Sequence, residues 1–414
     1  MVHRGRDGRK EPRPPLRLDG GTAPESRMEA PESRMDTTQA EKTSAGADDV
    51  TVFLCGDVMT GRGVDQVLPH PSGRQIFEPY VQDAREYVKL AESRNGPIEK
   101  PVSASYLWGD AVAELARVQP DARIINLETS VTSSEDYWRG KGINYRMHPE
   151  NVGCLTAAGV DICGLANNHV LDYGYEGLAE TLDTLTQADL KTAGAGRDLA
   201  EAQAAAVVSL ASGARILVFA FGAESSGIPP DWGARENRAG VDLLRDLSET
   251  TAAAIARRVR NVKKSRDIIV ASIHWGTNWG YDVPPEHVRF AHRLVEGGVD
   301  IVYGHSSHHP RPIEVYRNRL ILYGCGDFID DYEGIAGNEQ YRDDLVLMYF
   351  ATLSAATGDL TAVQMTPMQI KKLKLNRPSE SDLVWLRDTL VRIGRAHDTR
   401  VELTTNDQLM LRWR

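Results

Sequence analysis

The chain is poor in cysteine: 414 residues hold four, Cys55, Cys154, Cys163 and Cys325, spread widely and without a CxxC pair. That spacing excludes a small disulfide framework, speaks against a structural zinc knot and suits a reducing compartment. No apolar run nears the roughly 18 residues of a membrane span. The arginines near the N-terminus lead into no hydrophobic stretch, so no secretory signal and no membrane partner are expected, and the expected location is the cytoplasm. Cationic charge is also in deficit, with 48 Lys and Arg against 58 Asp and Glu and a formal net charge of -10. Nucleic acid is therefore not expected as a partner. Nor is there a GxSxG, P-loop or dinucleotide fingerprint in a strand-to-helix setting, so no organic cofactor is expected. What is present is 41% hydrophobic residues, enough for a substantial core.

Residues 1 to 48 are rich in Arg, Pro, Gly, Ser and Glu and carry "APESRM" twice, at 23–28 and 30–35. Such a segment has too little apolar surface to fold, and a disordered tail is expected there. Order begins at residue 49. "VTVFLCGDV", "ARIINLETS", "VDICGLANNH", "ARILVFAFGA", "RDIIVASIHWG", "VDIVYGH", "RLILYGCGDF" and "DLVLMYFATLS" are apolar strand patterns. Between them "YVQDAREYVKLAES", "PENVGCLTAAG", "GYEGLAETLDTLTQADL", "SETTAAAIARRVRNVKKS" and "PPEHVRFAHRLVEGG" read as helices. The alternation predicts an α/β fold with sheets covered on both sides. Residues 49 to 350 are expected to form one catalytic domain, and residues 351 to 414 a C-terminal extension packed on it.

Polar residues recur just past the apolar strands: Asp57, Glu128, the Asn167–Asn168–His169 run, His274, His305 and Asp327. Ligands gather at the carboxyl ends of strands in α/β sheets, so these positions are expected to converge on one crevice. Carboxylate, amide oxygen and imidazole are the materials of a divalent metal site. Asp57 alone could cap a turn, and the histidines of "VYGHSSHHP" could line an exposed loop. Together they point to a metal centre.

"GDVMTGRG", "INLETS", "LANNHVLDYG", "IHWG", "GHSSHHP" and "LYGCGDFIDDYEG" together resemble the CapA family of poly-γ-glutamate capsule synthesis. The resemblance spans roughly residues 50 to 349. It implies a calcineurin-like α/β/β/α sandwich of four layers with metal at the strand ends. Carried over residue by residue, it implies that Asp57, Glu128, Asn168, His274, His305 and His308 hold the metal and that His169 acts on substrate. Two positions depart from the phosphoesterase pattern: Met59 stands where a histidine ligand is usual, and the bridging acid is Glu128 rather than an aspartate. Fewer nitrogens favour Mn²⁺, Mg²⁺ or Ca²⁺ over Zn²⁺, and one ion rather than two is expected.

The resemblance leaves three activities open. One is phosphoester hydrolysis, and one is an accessory or hydrolytic role in poly-γ-glutamate synthesis. The third, which the expected cytoplasmic location favours, is metal-dependent inversion of the C-terminal tryptophan of a lasso-peptide precursor, as in a soluble epimerase that resembles the family. That reading takes a peptide as the partner. Its acid–base groups are expected to be His169 with Asp172, and His305 or His308 with Asp327. Further expectations concern Cys55 and Cys325 as packing residues, Trp275 and Trp279 as pocket or core, and Arg146 as an anion holder or a surface ion pair. The "ESSGIPPDWG" loop is expected to cover the crevice.

Overall fold

A computed structural model describes residues 48–414, and within it most strands sort into two large sheets, beside two two-stranded pairs. In the first, Asp49–Cys55 lies between Ala122–Leu127, parallel to it, and Leu345–Ser354, antiparallel. Ile162–Gly164 and Lys191–Ala193 extend the parallel side. Leu360–Ile370, Leu409–Trp413 and Thr399–Leu403 extend the antiparallel side. The second sheet has a parallel centre of Arg215–Ala223, Asp267–His274, Ile301–His305 and Arg319–Leu322.

Side-chain alternation builds the layers. Ile216, Val218 and Ala220 join the core shared with Val52 and Ile124 of the first sheet. Their neighbours Leu217, Phe219 and Phe221 pack instead with Ile255, Val259, Phe290 and Leu294. Those four belong to the helices Glu249–Val262 and Pro285–Glu296, which cover the second sheet. On the first sheet, the helix Gly174–Gln187 packs against Lys191–Ala193 through an apolar stripe that includes Leu178, Leu182 and Leu185. The result is the α/β/β/α sandwich that the resemblance implies. Each Leu or Phe buried this way contributes about 1.5–3 kcal/mol. A polar stitch also joins the sheets: the Tyr303 hydroxyl donates to the Cys55 carbonyl at 2.5 Å and accepts from the Cys55 N–H at 3.2 Å.

Three expectations change. "RLILYGCGDF" is two strands, not one: Arg319–Leu322 lies in the second sheet, and Asp327–Ile329 crosses to the first and pairs with Asp57–Val58. Gly326, at φ +79°, allows the turn between them. "PENVGCLTAAG" forms only a 3₁₀ turn at Pro149–Asn151 and one helical turn at Gly153–Thr156. The boundary at 350 falls inside the strand Leu345–Ser354, and Leu360–Ile370 continues the same sheet. Residues 351–414 thus begin within the first sheet. Residues 1–47 of the expected tail lie outside the described residues.

Candidate metal centre

Gly56 breaks the first strand so that Asp57 starts a new pairing beside Asp327, register partner to partner. The motifs "LCGD" and "GCGD" therefore meet: a Cβ at Gly56 would lie 2.2 Å from the Gly326 carbonyl oxygen. Cys55 and Cys325, one residue earlier in each motif, are fully buried, and burial pushes both thiols well above their ordinary range. They are packing groups.

Asp57 accepts three hydrogen bonds, which leaves a lone pair free on Oδ2. Its Oδ1 accepts from His305 Nδ1 at 2.6 Å and from the Asn126 amide at 2.8 Å, while its Oδ2 accepts from the Ser306 N–H at 3.0 Å. Burial raises this carboxyl, but His305, His274 and Asn126 together outweigh burial and hold it well below the usual carboxylate range. Ser306 sits at φ +89°, a strained backbone for serine that turns the chain directly after His305.

Asp57, Glu128 and His274 each present a ligand atom within 4.8 Å of the others, and all three are buried. Asp57 and Glu128 come from the first sheet and His274 ends a strand of the second. Burial, then the Asp57 charge, pushes the Glu128 carboxyl well up. Such a pair of carboxylates is costly without a cation to share. Three buried polar atoms nearby have no protein partner: Asn168 Oδ1, His274 Nδ1 and His305 Nε2. Orphaned buried acceptors and donors are rare in folded chains, and these belong to residues expected as ligands. Asp57, Glu128 and His274 supply two carboxylates and an imidazole suited to a divalent ion, and Asn168 and His305 each offer a further buried, unpartnered atom.

His308, also expected as a ligand, is placed differently. Both its ring nitrogens are engaged, Nδ1 with Asp327 at 3.0 Å and Nε2 with the Asn278 amide at 2.8 Å. Burial opposes its charge, but the Asp327 carboxylate raises it above an ordinary histidine. Asp327 thus pairs with His308, whereas His305 pairs with Asp57. Met59 fills the departing position as a buried thioether that accepts from the Tyr332 hydroxyl at 3.6 Å.

His169 faces the same centre, its Nε2 3.8 Å from Glu128 Oε1. Its Nδ1 lies 2.5 Å from Asp172 Oδ2, which also accepts from the Tyr145 N–H at 2.6 Å. Burial lowers the imidazole to about 4, with Asp172 acting against burial and Lys141 with it. It is therefore a neutral ring at pH 7. The loop 224–233 lies over this region: Ser226 Oγ donates to the His274 carbonyl at 3.1 Å, and Ser225 Oγ accepts from the Gly276 N–H at 3.0 Å.

Other expected residues lie apart. Trp275 is buried on the helix side of the second sheet against His287 and Phe290, so it packs the core. Trp279 is half-buried, with its ring 5.2 Å from His308. The Arg146 guanidinium is spent on the carbonyls of Ser134 and Gly73, at 2.5 and 3.5 Å.

The sequence reading missed Asn126, whose amide nitrogen donates to Asp57 and lies 3.4 Å from Glu128, and whose Oδ1 accepts from Asn167 at 3.0 Å. Its signal was there: it lies in the strand Ala122–Leu127, two residues before Glu128 just past the strand's end, the spacing that places side chains on one face. Lys141, whose ammonium contacts both His169 and Asp172, was also missed. It sits between Gly140 and Gly142 in an aperiodic loop that carries no such signal.

The chain is similar to several known proteins. Residues 51–332 match the model of the bacterial capsule synthesis protein PGA_cap family. A probable polyglutamine synthesis accessory protein of Mycobacterium tuberculosis is 48% identical over 364 residues, covering 88% of this chain and 96% of that one. The PGA biosynthesis protein CapA of Bacillus subtilis is 27% identical over 346 residues, 82% of this chain and 79% of its own. Among solved structures, a novel phosphatase of Mycoplasma pneumoniae aligns over 80% of this chain and 95% of its own, with a TM-score of 0.44 and 12% identity. The chain belongs to the bacterial capsule synthesis protein PGA_cap family, the CapA family.

Proposed function

We propose that this chain is a metal-dependent accessory enzyme of poly-γ-glutamate synthesis that hydrolyses amide bonds of the polymer or of a related peptide. The observation that carries the reading is the buried Asp57–Glu128–His274 cluster with the orphaned atoms of Asn168, His274 and His305 around it. The relatives named above favour a capsule polymer over a lasso-peptide precursor. Asp57, Glu128, Asn168, His274 and His305 would hold the ion, with Mn²⁺, Mg²⁺ or Ca²⁺ favoured over Zn²⁺ by the oxygen-rich set. When bound, a divalent cation supplies positive charge that offsets the oxyanion developing at a substrate carbonyl.

The chain's own groups do the rest. His169, neutral and oriented by Asp172, accepts at Nε2 a proton from the water that adds to the amide carbonyl, and returns it to the leaving amine as the C–N bond breaks. The loop 224–233 limits water access to His274. The partner is a peptide-like chain. Among the described residues no helix is long and apolar enough to cross a membrane.

The test is metal-stripped protein incubated with poly-γ-glutamate, with and without added Mn²⁺, Mg²⁺ or Ca²⁺. New amino ends and shorter polymer only in the metal-loaded samples are expected. Full activity in protein shown by elemental analysis to be metal-free, or no cleavage with any ion, overturns the reading. A second reading, inversion at a peptide's C-terminal Cα, draws on the two histidine–carboxylate pairs, His169–Asp172 and His308–Asp327. Solvent deuterium at the terminal Cα of a precursor ending in tryptophan, without cleavage, would favour it.

A further inference from the structure

Lys141 is used by nothing described so far, yet it reaches into the proton-transfer pair. Its side chain is only 14% exposed and that of Asp172 is 0% exposed. The ammonium bonds Asp172 Oδ1, lies 2.9 Å from His169 Nδ1 and stands 5.5 Å from the centre of the Trp232 ring. A flexible cation has many surface partners to choose from, and burying one against a single carboxylate is costly unless the contact has a task.

The geometry decides which contacts are hydrogen bonds. His169 Nδ1 has one site, and it faces both the carboxylate and the ammonium. With Asp172 Oδ2 at 2.5 Å, an unprotonated Nδ1 would set two lone pairs against each other. Nδ1 therefore carries the proton and donates to Oδ2, and the ammonium is its neighbour rather than its donor. Asp172 is then fully committed: Oδ2 accepts from His169 and the Tyr145 N–H, and Oδ1 accepts from Lys141. Lys141 is the only side-chain donor on Oδ1 among the described residues.

We propose that Lys141 is a positioning residue that fixes the tautomer of His169. By holding Oδ1 it keeps Oδ2 turned toward Nδ1, so the ring proton stays on Nδ1 and the lone pair of Nε2 points at Glu128 and the metal centre. The inference rests on the reading of His169 as the proton-transfer group, but its test does not need turnover.

The test uses full-length protein, ¹⁵N-labelled at histidine and loaded with diamagnetic Mg²⁺ or Ca²⁺. In the wild type a one-bond N–H coupling is expected at Nδ1 of His169 and none at Nε2. The reverse overturns the proposal outright, without any variant. In Lys141→Met, loss of the single tautomer is expected, with signal from both, while Lys141→Arg, which keeps charge and donors, restores one. An unchanged tautomer in a folded Lys141→Met protein makes the lysine a structural ion pair and overturns the proposal. Should Lys141→Met not fold, Lys141→Leu is read in the same way. Loss of turnover in His169→Gln with the wild-type tautomer as stated separates the two claims: the first tests the function, the second only Lys141.

Discussion

Asn126 donates to Asp57 and bonds Asn167, so one amide sets the attitude of the first-sheet ligands without needing to touch an ion. Partners of this kind are worth about 10–100-fold in metal affinity. Asn126→Ala should weaken binding of the added ion by that factor in calorimetric titration, with the circular dichroism spectrum unchanged. His169→Gln should behave in the opposite way: metal affinity stays, and turnover falls by about 10²–10⁴-fold, the worth of a general acid–base group. At this scale the strand ends made Asp57, Glu128 and His274 legible as residues that meet. The sequence concealed what depends on a loop's path. Nothing local separates Lys141 from a solvated lysine, and nothing local shows that Asp327 meets His308 while His305 takes Asp57.

Elements were legible where the apolar period is long, as in Asp267–His274 and Glu249–Val262, and misread where the chain changes sheets. "RLILYGCGDF" has one continuous apolar pattern, yet the break at Gly326 is set by what packs behind it. Gly56→Ala should show how tight that packing is. The added methyl meets the carbonyl oxygens of Gly326 and Asp327 at 2.2 and 2.4 Å, and neither can move alone. A loss of about 1–3 kcal/mol in urea unfolding is expected, together with weaker metal binding through Asp57. A second element-scale link ties the helix Ala111–Val118 to the C-terminal residues. Buried Glu114 accepts from the Thr366 hydroxyl at 2.7 Å and from Arg377 at 2.8 Å. Burial raises this carboxyl, but Arg117, Thr366 and Arg377 outweigh burial and hold it at about 2. A depressed carboxylate stabilises the fold above its unfolded pKa, and that stabilisation is lost as pH falls through the folded value. Glu114→Gln should therefore remove part of the stability the wild type has at pH 7, and the difference between the two in melts should shrink from about pH 4.5 to about pH 2.

For the whole molecule, strand–helix alternation gave the class, and the ordered motifs gave the layers through resemblance. The pairing of sheets could not be read, because the same alternation suits one large sheet or two. The structure resolves this by threading: the chain builds the parallel half of the first sheet, makes the second, then returns to finish the first with Leu345–Ser354. The proposed ligands are divided in the same way, Asp57 and Glu128 on one sheet, His274 and His305 on the other. The bond between Asp57 and His305 spans 248 positions of chain. Closing a loop of that length costs about 5 kcal/mol in the length-dependent entropy, so this contact belongs late in folding. The ion is then a clock as well as a ligand. After dilution from denaturant, uptake of metal by a coloured indicator should lag behind the tryptophan fluorescence that reports formation of each layer. An uptake trace that leads or matches the fluorescence would mean that one sheet alone can hold the ion.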